Sequence, residues 1–365
     1  MNYIYAMKTA ILIFPLIALI ITIPFILSEY HKYGSISKLR TIIIYSFILY
    51  LLTIYFLVIL PLPSFEKVEN MNPLKIRRIP LTFITDILNE SSFVIQNPKT
   101  YLKALTEPCI YTVVFNIFMT IPFGMYLRYY FKCNLKKTIL FSFLLSLFFE
   151  LTQLTGLYFI YPKAYRLFDV DDLLMNTLGG IVGYSLLNLI NKFLPTREEI
   201  DKKALEEGKN VSGLRRITLF SLDIFIYFII QIMSFLFIKN KYLKYGTFIL
   251  YYVMIPYFNK GKTLAGNYLN VKIVFKNKVV IRSFGRILFL YIYYFYIPYI
   301  FLVLIIKKVP KLNFTIQKEA TILILYSIGI ILFYLVNAIT ILRKKKIYYD
   351  KIFKVEYQST IEERK

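Results

Sequence analysis

The sequence predicts an all-α integral membrane protein, a polytopic helical bundle with about nine transmembrane helices. Hydrophobic residues make up 58% of the 365 residues and charged residues only 18%. Several apolar runs are long enough to cross a bilayer, so the composition excludes the soluble globular class. The chain has 33 Tyr and 33 Phe but no Trp, and we therefore expect Tyr to form the aromatic belt at the membrane interface.

Five spans are predicted in the first part of the chain, at about 9–27, 41–62, 109–131, 138–160 and 170–194. The first run is too long for a signal peptide and lacks a cleavage-site pattern, so we interpret it as a retained span. Residues 64–107 are too polar to cross the membrane. We expect them to lie on its surface, with a set of apolar side chains facing inward. These are Ile79, Leu81, Ile84, Ile87 and Leu88.

A polar stretch at 195–215 separates this first membrane domain, 1–194, from a second one at 216–343. We expect the stretch to be a cytoplasmic linker. Four more spans are predicted, at about 217–238, 242–258, 284–306 and 320–342, followed by a basic cytoplasmic tail at 344–365. Cys109 and Cys133 lie at opposite ends of one predicted span, so no disulfide between them is expected.

The distribution of the 45 Lys and Arg residues predicts the orientation. With the N-terminus outside, about 29 of them face the cytoplasm and about 16 face outward, which fits the excess of positive charge on the inner side. The C-terminus is then cytoplasmic. The net charge of +24 comes from short loops facing anionic lipid, so membrane lipids are expected partners and nucleic acid is not. The oligomeric state is left open.

Polar residues in the fourth and fifth spans are concentrated between residues 149 and 184, where helical spacing groups them into one face on each helix. The members are Glu150 and Gln153 in the fourth span and Asp169, Asp172, Asn176, Gly180 and Gly183 in the fifth. Small residues let a neighbouring helix approach closely, and the fourth span is the simplest candidate. We therefore expect Glu150 to approach Asp172 and Asn176.

The loop between these two spans contributes a cation. Arg166 is expected to pair with Asp169, which lies where the dipole of the fifth helix favours an anion. Asp171 points away from this face, toward the head groups or as a helix cap. The predicted polar cluster therefore consists of Glu150, Gln153, Arg166, Asp169, Asp172 and Asn176.

Two roles are open for this cluster. Polar groups at membrane depth are costly, so it is either a hydrogen-bonded structural element that fixes the helix hairpin or a site that binds or acts on a ligand. The only histidine, His31, is remote from it, and no serine or aspartyl hydrolase motif is present. An enzyme here would have to use its carboxylates or an oxygen-ligated divalent ion. No cofactor and no defined metal site are predicted.

The order and spacing of these residues, continued by Gly179 and Gly183, resemble the signature of the VanZ-like family. Asn116, Pro122 and Gly124 in the third span and Arg78 and Pro80 before it add to the resemblance, which covers about 41–194. It implies a cell-envelope role, because the namesake group is associated with low-level resistance to the glycopeptide teicoplanin. It implies no catalytic residue. The Ile, Lys, Tyr and Asn richness is typical of an AT-rich genome, and we expect the source to be a Gram-positive bacterium.

The second membrane domain has a weaker pattern. Arg216 and Asp223 lie two helical turns apart on one face, which sets an intramembrane acid below an interfacial cation. With further residues they resemble the RDD family, a membrane domain proposed to take part in transport. These are Gly261, Lys262, Thr263, Gly266, Arg282 and Arg286. The family pattern has a second Asp, but no acid occurs between Ile224 and Arg286.

The resulting prediction is a non-enzymatic VanZ-like/RDD membrane protein of the bacterial envelope. Its outer-facing polar pocket would bind an envelope component, such as a lipid-linked precursor or a peptide terminus, and contribute to teicoplanin-type resistance. Two alternatives are kept. One is ion or small-solute transport through 216–343 with Asp223 as the acid. The other is a carboxylate- or metal-dependent enzyme acting on a lipid-linked substrate.

Overall fold

The structure is a computed structural model that describes residues 3–72, 76–237, 243–275, 279–308, 316–343 and 347–362. Helices make up most of this described part, with one two-stranded antiparallel sheet. Eight of the described helices are long and apolar enough to cross a membrane. The predicted fold class, a polytopic helical membrane protein, is therefore confirmed.

Nine helices form the first part of the chain, and five of them correspond to the predicted spans. They are α1 (Tyr3–Tyr33), α2 (Lys38–Ile59), α3 (Phe65–Glu69), α4 (Thr82–Glu90), α5 (Tyr101–Ala104), α6 (Pro108–Tyr129), α7 (Leu135–Leu154), α8 (Gly156–Phe159) and α9 (Val170–Ile190), with short 3₁₀ turns at Pro98–Thr100 and Asn191–Phe193. The fourth span was predicted to continue to residue 160. It ends at Leu154 because α8 turns the chain in the left-handed region, with positive φ at Leu157 and Tyr158.

The remaining elements are mostly helical and include both strands. They are α10 (Arg197–Gly208), α11 (Gly213–Phe237), α12 (Leu243–Ile249), α13 (Ile255–Phe258), α14 (Leu264–Tyr268), β1 (Val271–Phe275), α15 (Val279–Tyr291), α16 (Ile297–Lys308), α17 (Ile316–Leu342), α18 (Tyr348–Ile352) and β2 (Val355–Ser359). A π-helical segment joins α12 to α13 and another joins α15 to α16. Pro256 and Pro298 follow these segments, and each proline ring would clash with a carbonyl one turn earlier in a regular α-helix.

The chain divides into two compact units. The first contains Met1–Thr22 and Lys38–Ile200, and the second contains Ile23–Ser37 and Asp201–Lys365. Residues 23–37 join the second unit through side-chain hydrogen bonds. Asn270 donates to the Tyr30 and His31 carbonyls, and the Ser35 hydroxyl donates to the Ala204 carbonyl.

In the first unit, close packing of α6 against α9 sets the position of the polar residues. A Cβ added at Gly183 would lie 1.9 Å from the Ile121 carbonyl oxygen of α6, and one added at Gly124 would lie 1.9 Å from the Gly180 carbonyl oxygen. The fourth span was the expected partner of this glycine face. The structure instead places the third span, α6, against Gly179 and Gly183, while Gly180 also faces Ser142 of α7.

The segment before α6 returns to the loop between α7 and α9. The Arg77 N–H donates to the Phe168 carbonyl, and Arg77 and Asp169 form an isolated parallel bridge. These contacts place both segments at the same ends of the spans, as the five-span topology requires. Four of the five apolar residues assigned to the membrane surface are exposed, and Ile87 is half-buried. The exposed four are Ile79, Leu81, Ile84 and Leu88.

In the second unit, the chain runs away from one end of the unit along α11 and returns to the same end through the segment 243–258. The buried Arg215 at the start of α11 donates to the carbonyls of Leu269 and Asn270, just before β1. β1 then pairs with β2 beyond α17. The seventh predicted span, at about 242–258, corresponds to residues 243–258, which rise only about 24 Å as a helix. It is therefore shorter than the eight long spans, although it reverses the chain as a span would.

Candidate functional site

All six residues of the predicted polar cluster line one cavity of about 340 Å³ in the first unit. The end of α2, the first half of α6, the end of α7, the loop after it and the start of α9 form its walls. The other lining residues are mainly apolar or aromatic, namely Leu57, Val58, Tyr111, Thr112, Phe115, Asn116, Met119, Phe149 and Leu167. The cluster therefore borders an open space at the boundary between a polar and an apolar surface.

Two carboxyl groups meet between α7 and α9. The side chains of Glu150 and Asp172 lie next to each other, as the helical spacing predicted. Each accepts a hydrogen bond from elsewhere: Glu150 Oε2 from the Asp169 N–H at 3.0 Å, and Asp172 Oδ1 from the Asn116 side-chain amide at 2.5 Å.

Asn176 lies one turn deeper along α9 and is only 4% exposed. Its Nδ2 donates to the Ser146 hydroxyl at 2.9 Å, and its backbone carbonyl accepts from the Thr120 hydroxyl. Its Oδ1 is buried and has no hydrogen-bond donor within the described residues. The side chain is therefore held in place through its nitrogen while its oxygen is unsatisfied.

Gln153 and Arg166 converge on the end of α2. The Gln153 amide and Arg166 Nη1 both donate to the Val58 carbonyl, at 2.9 and 2.6 Å. Arg166 was expected to pair with Asp169, but the ion pair that the structure has for Asp169 is with Arg77, at 3.6 Å. The backbone bridge between residues 77 and 169 explains this choice, because it brings the Arg77 side chain to that carboxylate.

Asp169 is the N-cap of α9, where its Oδ1 accepts from the Asp171 N–H at 2.9 Å. The helix-dipole argument thus located this anion correctly. Burial raises the pKa of Asp169, and the nearby Arg77 guanidinium opposes that rise. Arg77 also donates to Asp86 at 2.6 Å, and this hydrogen bond raises the pKa of the guanidinium.

Asp171 has a role that the sequence left undecided. It is buried and accepts from the Leu81 and Phe83 N–H groups and from the Thr82 hydroxyl. These donors belong to the first turn of α4, whose own N-cap residue, Leu81, offers no side-chain acceptor. An apolar residue at an N-cap position is the one sequence signal that α4 needs an acceptor from another part of the chain.

The cavity has the composition of a site that can bind a polar group. It combines carboxyl groups, side-chain amides and one guanidinium with aromatic walls, a mixture typical of ligand sites. Within the described residues, no three His, Cys, Asp or Glu side chains are grouped as metal ligands. The polar groups are fixed by bonds to neighbouring helices, so their positions are set before any ligand enters.

A second cavity, of about 460 Å³, lies in the second unit and is lined by four of the RDD-like positions, Arg216, Asp223, Thr263 and Arg286. Asp223 is buried and accepts from the hydroxyls of Tyr251, at 2.7 Å, and Thr263, at 3.1 Å.

Three further RDD-like positions, Gly261, Lys262 and Gly266, build the turn that holds Thr263, whereas Arg282 lies in α15. Gly261 has a φ of +87°, and the Ile273 N–H donates to its carbonyl. Lys262 N–H donates to the Asn259 carbonyl, and Gly266 N–H donates to the Thr263 hydroxyl that caps α14. These residues position the threonine that bonds Asp223 without lining the cavity themselves.

A second acid, close to the end of the chain, pairs with two arginines that line this cavity. Asp350 in α18 is 1% exposed and forms ion pairs with both Arg216 and Arg286. Tyr357 of β2 donates to Asp350 and accepts from Arg286 Nη2 at 2.6 Å. Burial raises the pKa of Tyr349 and of Tyr357, so both phenols stay neutral and can donate.

No acid occurs between Ile224 and Arg286, and the second acid, Asp350, lies in the segment that was predicted to be a basic cytoplasmic tail. Residues 347–362 of that tail are folded as α18 and β2 within the second unit. The alternation of apolar and polar residues in Val355–Ser359 is the signal that could have predicted the strand.

Comparison with known families finds a match for one part of the chain. Residues 47–191 match the family model described as VanZ/LLP1. The matched region contains part of the second span, the third to fifth spans and all six residues of the polar cluster. The RDD resemblance of 216–343 stays a prediction. No match to a curated protein or to a solved structure was found.

Proposed function

We propose that the first unit binds an envelope component in its polar cavity without chemically changing it. The ligand is a lipid-linked precursor or a peptide terminus. Binding changes how exposed this component is and thereby contributes to teicoplanin-type resistance in a Gram-positive bacterium. The observation that carries the proposal is that six polar residues from α7, α9 and the loop between them line one open cavity.

The size and composition of the cavity support a ligand. Ligand pockets usually enclose about 300–1,000 Å³ and combine apolar walls with a few fixed polar groups. A volume of about 340 Å³ lined by Tyr111, Phe115 and Phe149 beside the polar cluster fits that description. Buried polar groups that served only to fix the helix hairpin would gain most by bonding to one another with no space between them.

The predicted orientation supports access from outside the cell. The count of Lys and Arg residues on alternate loops puts the loop between α7 and α9 on the outer side. The cavity then faces the compartment in which envelope precursors are used. A lipid-linked ligand could reach it from the membrane while its polar part enters the cavity.

The test uses substitutions that keep shape and remove charge. Glu150→Gln and Asp172→Asn are expected to abolish protection against teicoplanin in a susceptible host while the protein accumulates normally in the membrane. Glu66→Gln, at an exposed position of α3, is the matched control and should retain protection. Growth inhibition and the amount of protein in the membrane are measured together. Full protection by both variants contradicts the proposal. Failure of both variants to accumulate, beside a control that accumulates normally, also contradicts it and favours a structural role.

A second candidate function is ion or small-solute transport through the second unit. It is favoured by one observation, the buried Asp223 on the wall of the 460 Å³ cavity, because ionisable groups inside a membrane commonly mark ion pathways. Asp223→Asn should then lower ion flux into vesicles that contain the purified protein. Equal flux in the two proteins removes this candidate.

A further inference from the structure

The polar groups at the inner end of the first cavity are mismatched, because acceptors outnumber donors. Glu150, Asp172 and Asn176 all line the cavity. Each carboxyl group has one oxygen bonded to a protein N–H, from Asp169 in one case and from Asn116 in the other. The Asn176 Oδ1 has no donor among the described residues.

Leaving a buried acceptor unsatisfied is unfavourable, and a ligand that donates to it removes that cost. The neighbouring groups cannot do so. The Asn176 nitrogen is bonded to Ser146, and the Thr120 hydroxyl already donates to the Asn176 backbone carbonyl. The missing donor must therefore come from the cavity.

A primary ammonium group fits this arrangement better than a hydroxyl or a carboxylate. It carries three donors and no acceptor, so it can serve Asn176 and both carboxyl groups together. Its charge compensates the carboxyl pair, and the aromatic rings of Phe115 and Phe149 in the same wall attract cations. A hydroxyl offers only one donor, and a carboxylate would add another acceptor.

We propose that the inner end of the cavity, formed by Glu150, Asp172 and Asn176, binds a primary ammonium group. This inference rests on the proposed function in one respect, since it takes the ammonium group to be part of the envelope component. A peptide with a free amine or an amino sugar has the required chemistry.

The first test measures small probes on the purified full-length protein. Propylammonium should bind at least tenfold more tightly than propanol, which matches it in size, and than N-propylacetamide, the uncharged acylated amine, as a charge-assisted hydrogen bond requires. Asn176→Asp keeps the oxygen acceptor and adds a negative charge, so it should tighten propylammonium binding. Asn176→Leu should weaken it about tenfold. Asn191→Leu, at an exposed residue just beyond α9, is the matched control and should change nothing.

The Asn176→Asp arm keeps the test decisive even if Asn176→Leu does not fold, because it predicts a gain. Equal binding of the three probes, or no gain for propylammonium in Asn176→Asp, overturns the ammonium site.

The second test separates this inference from the proposed function. It compares a lipid-linked precursor that carries a free primary amine with the same precursor after N-acetylation. Tighter binding of the free amine supports both proposals. Equal binding of the two forms overturns the ammonium site and leaves the proposed function standing. If neither form binds although propylammonium is selected, the ammonium site stands and the proposed function is wrong.

Discussion

Among the residues in the described ion pairs of the second unit, Asp350 is the one whose loss of charge should destabilise the unit most. This carboxylate lies between two guanidinium groups, those of Arg216 and Arg286, and all three side chains are less than 10% exposed. Asp350→Asn keeps the shape of the side chain but leaves two buried cations without their anion.

The expected magnitude follows from the burial. Breaking a buried ion pair by removing one partner costs about 3–5 kcal/mol, because the remaining charge is left uncompensated. Asp350 serves two cations, so the cost should lie toward the upper part of that range. The loss should first release the segment 347–362, since α18 and β2 are held to the unit by this cluster and by the pairing with β1.

The assay is unfolding of the purified full-length protein by SDS, followed by circular dichroism, together with limited proteolysis at Lys351 and Lys354. Glu362→Gln is the control, because it breaks a surface ion pair with Lys209 in which both side chains are more than half exposed. It should leave the unfolding curve unchanged. In a double-mutant cycle, Arg216→Gln and Asp350→Asn should show a coupling of about 0.5–3 kcal/mol. A loss below about 1 kcal/mol for Asp350→Asn, with unchanged proteolysis, would refute the reasoning.

Three further predictions concern the first unit. Gly183→Ala should lower the free energy of unfolding by at least about 1–3 kcal/mol in the same SDS assay, because its Cβ would overlap the Ile121 carbonyl. Gly329→Ala is the control, because a Cβ there would meet nothing within 4 Å. It should be neutral or slightly stabilising. Asp171→Ala should cost about 0.5–2 kcal/mol locally and speed hydrogen exchange in residues 82–90, because α4 loses its cap; unchanged exchange would contradict the capping role. Burial raises the pKa of Asp169 above 3.8, so the folded state binds that proton more readily than the unfolded state. Stability should then fall as the pH rises through the window just above 3.8, and Asp169→Asn should remove this slope.

The sequence located the polar residues of the first unit well because helical spacing determines which side chains share a face. Glu150 and Asp172 meet as that spacing predicted. The partner of the glycine face was harder to predict, because Gly179, Gly180 and Gly183 would permit close approach by any neighbouring helix. The structure places α6 there, and with it Thr120 and Asn116, which bond to the fifth span.

The interactions of charged side chains could not be predicted from their separation along the chain. Arg166 is three residues from Asp169, yet its Nη1 donates to the Val58 carbonyl, while Arg77 reaches Asp169 from 92 positions earlier. Asp350 similarly lies 134 positions from Arg216. Such pairs form only after loops at the helix ends have been folded together.

The membrane spans could be read from composition because the hydrophobic requirement of a bilayer acts on each segment separately. Every spanning segment must be apolar and long enough whatever its neighbours are, and helical periodicity then orders the side chains on its surface. Contacts between segments obey no such local requirement. The cavity beside Glu150 and Asn176, the cap that Asp171 provides for α4 and the burial of Asp350 between two arginines depend on which helix ends and loops come together, and that choice is made by packing across the whole unit.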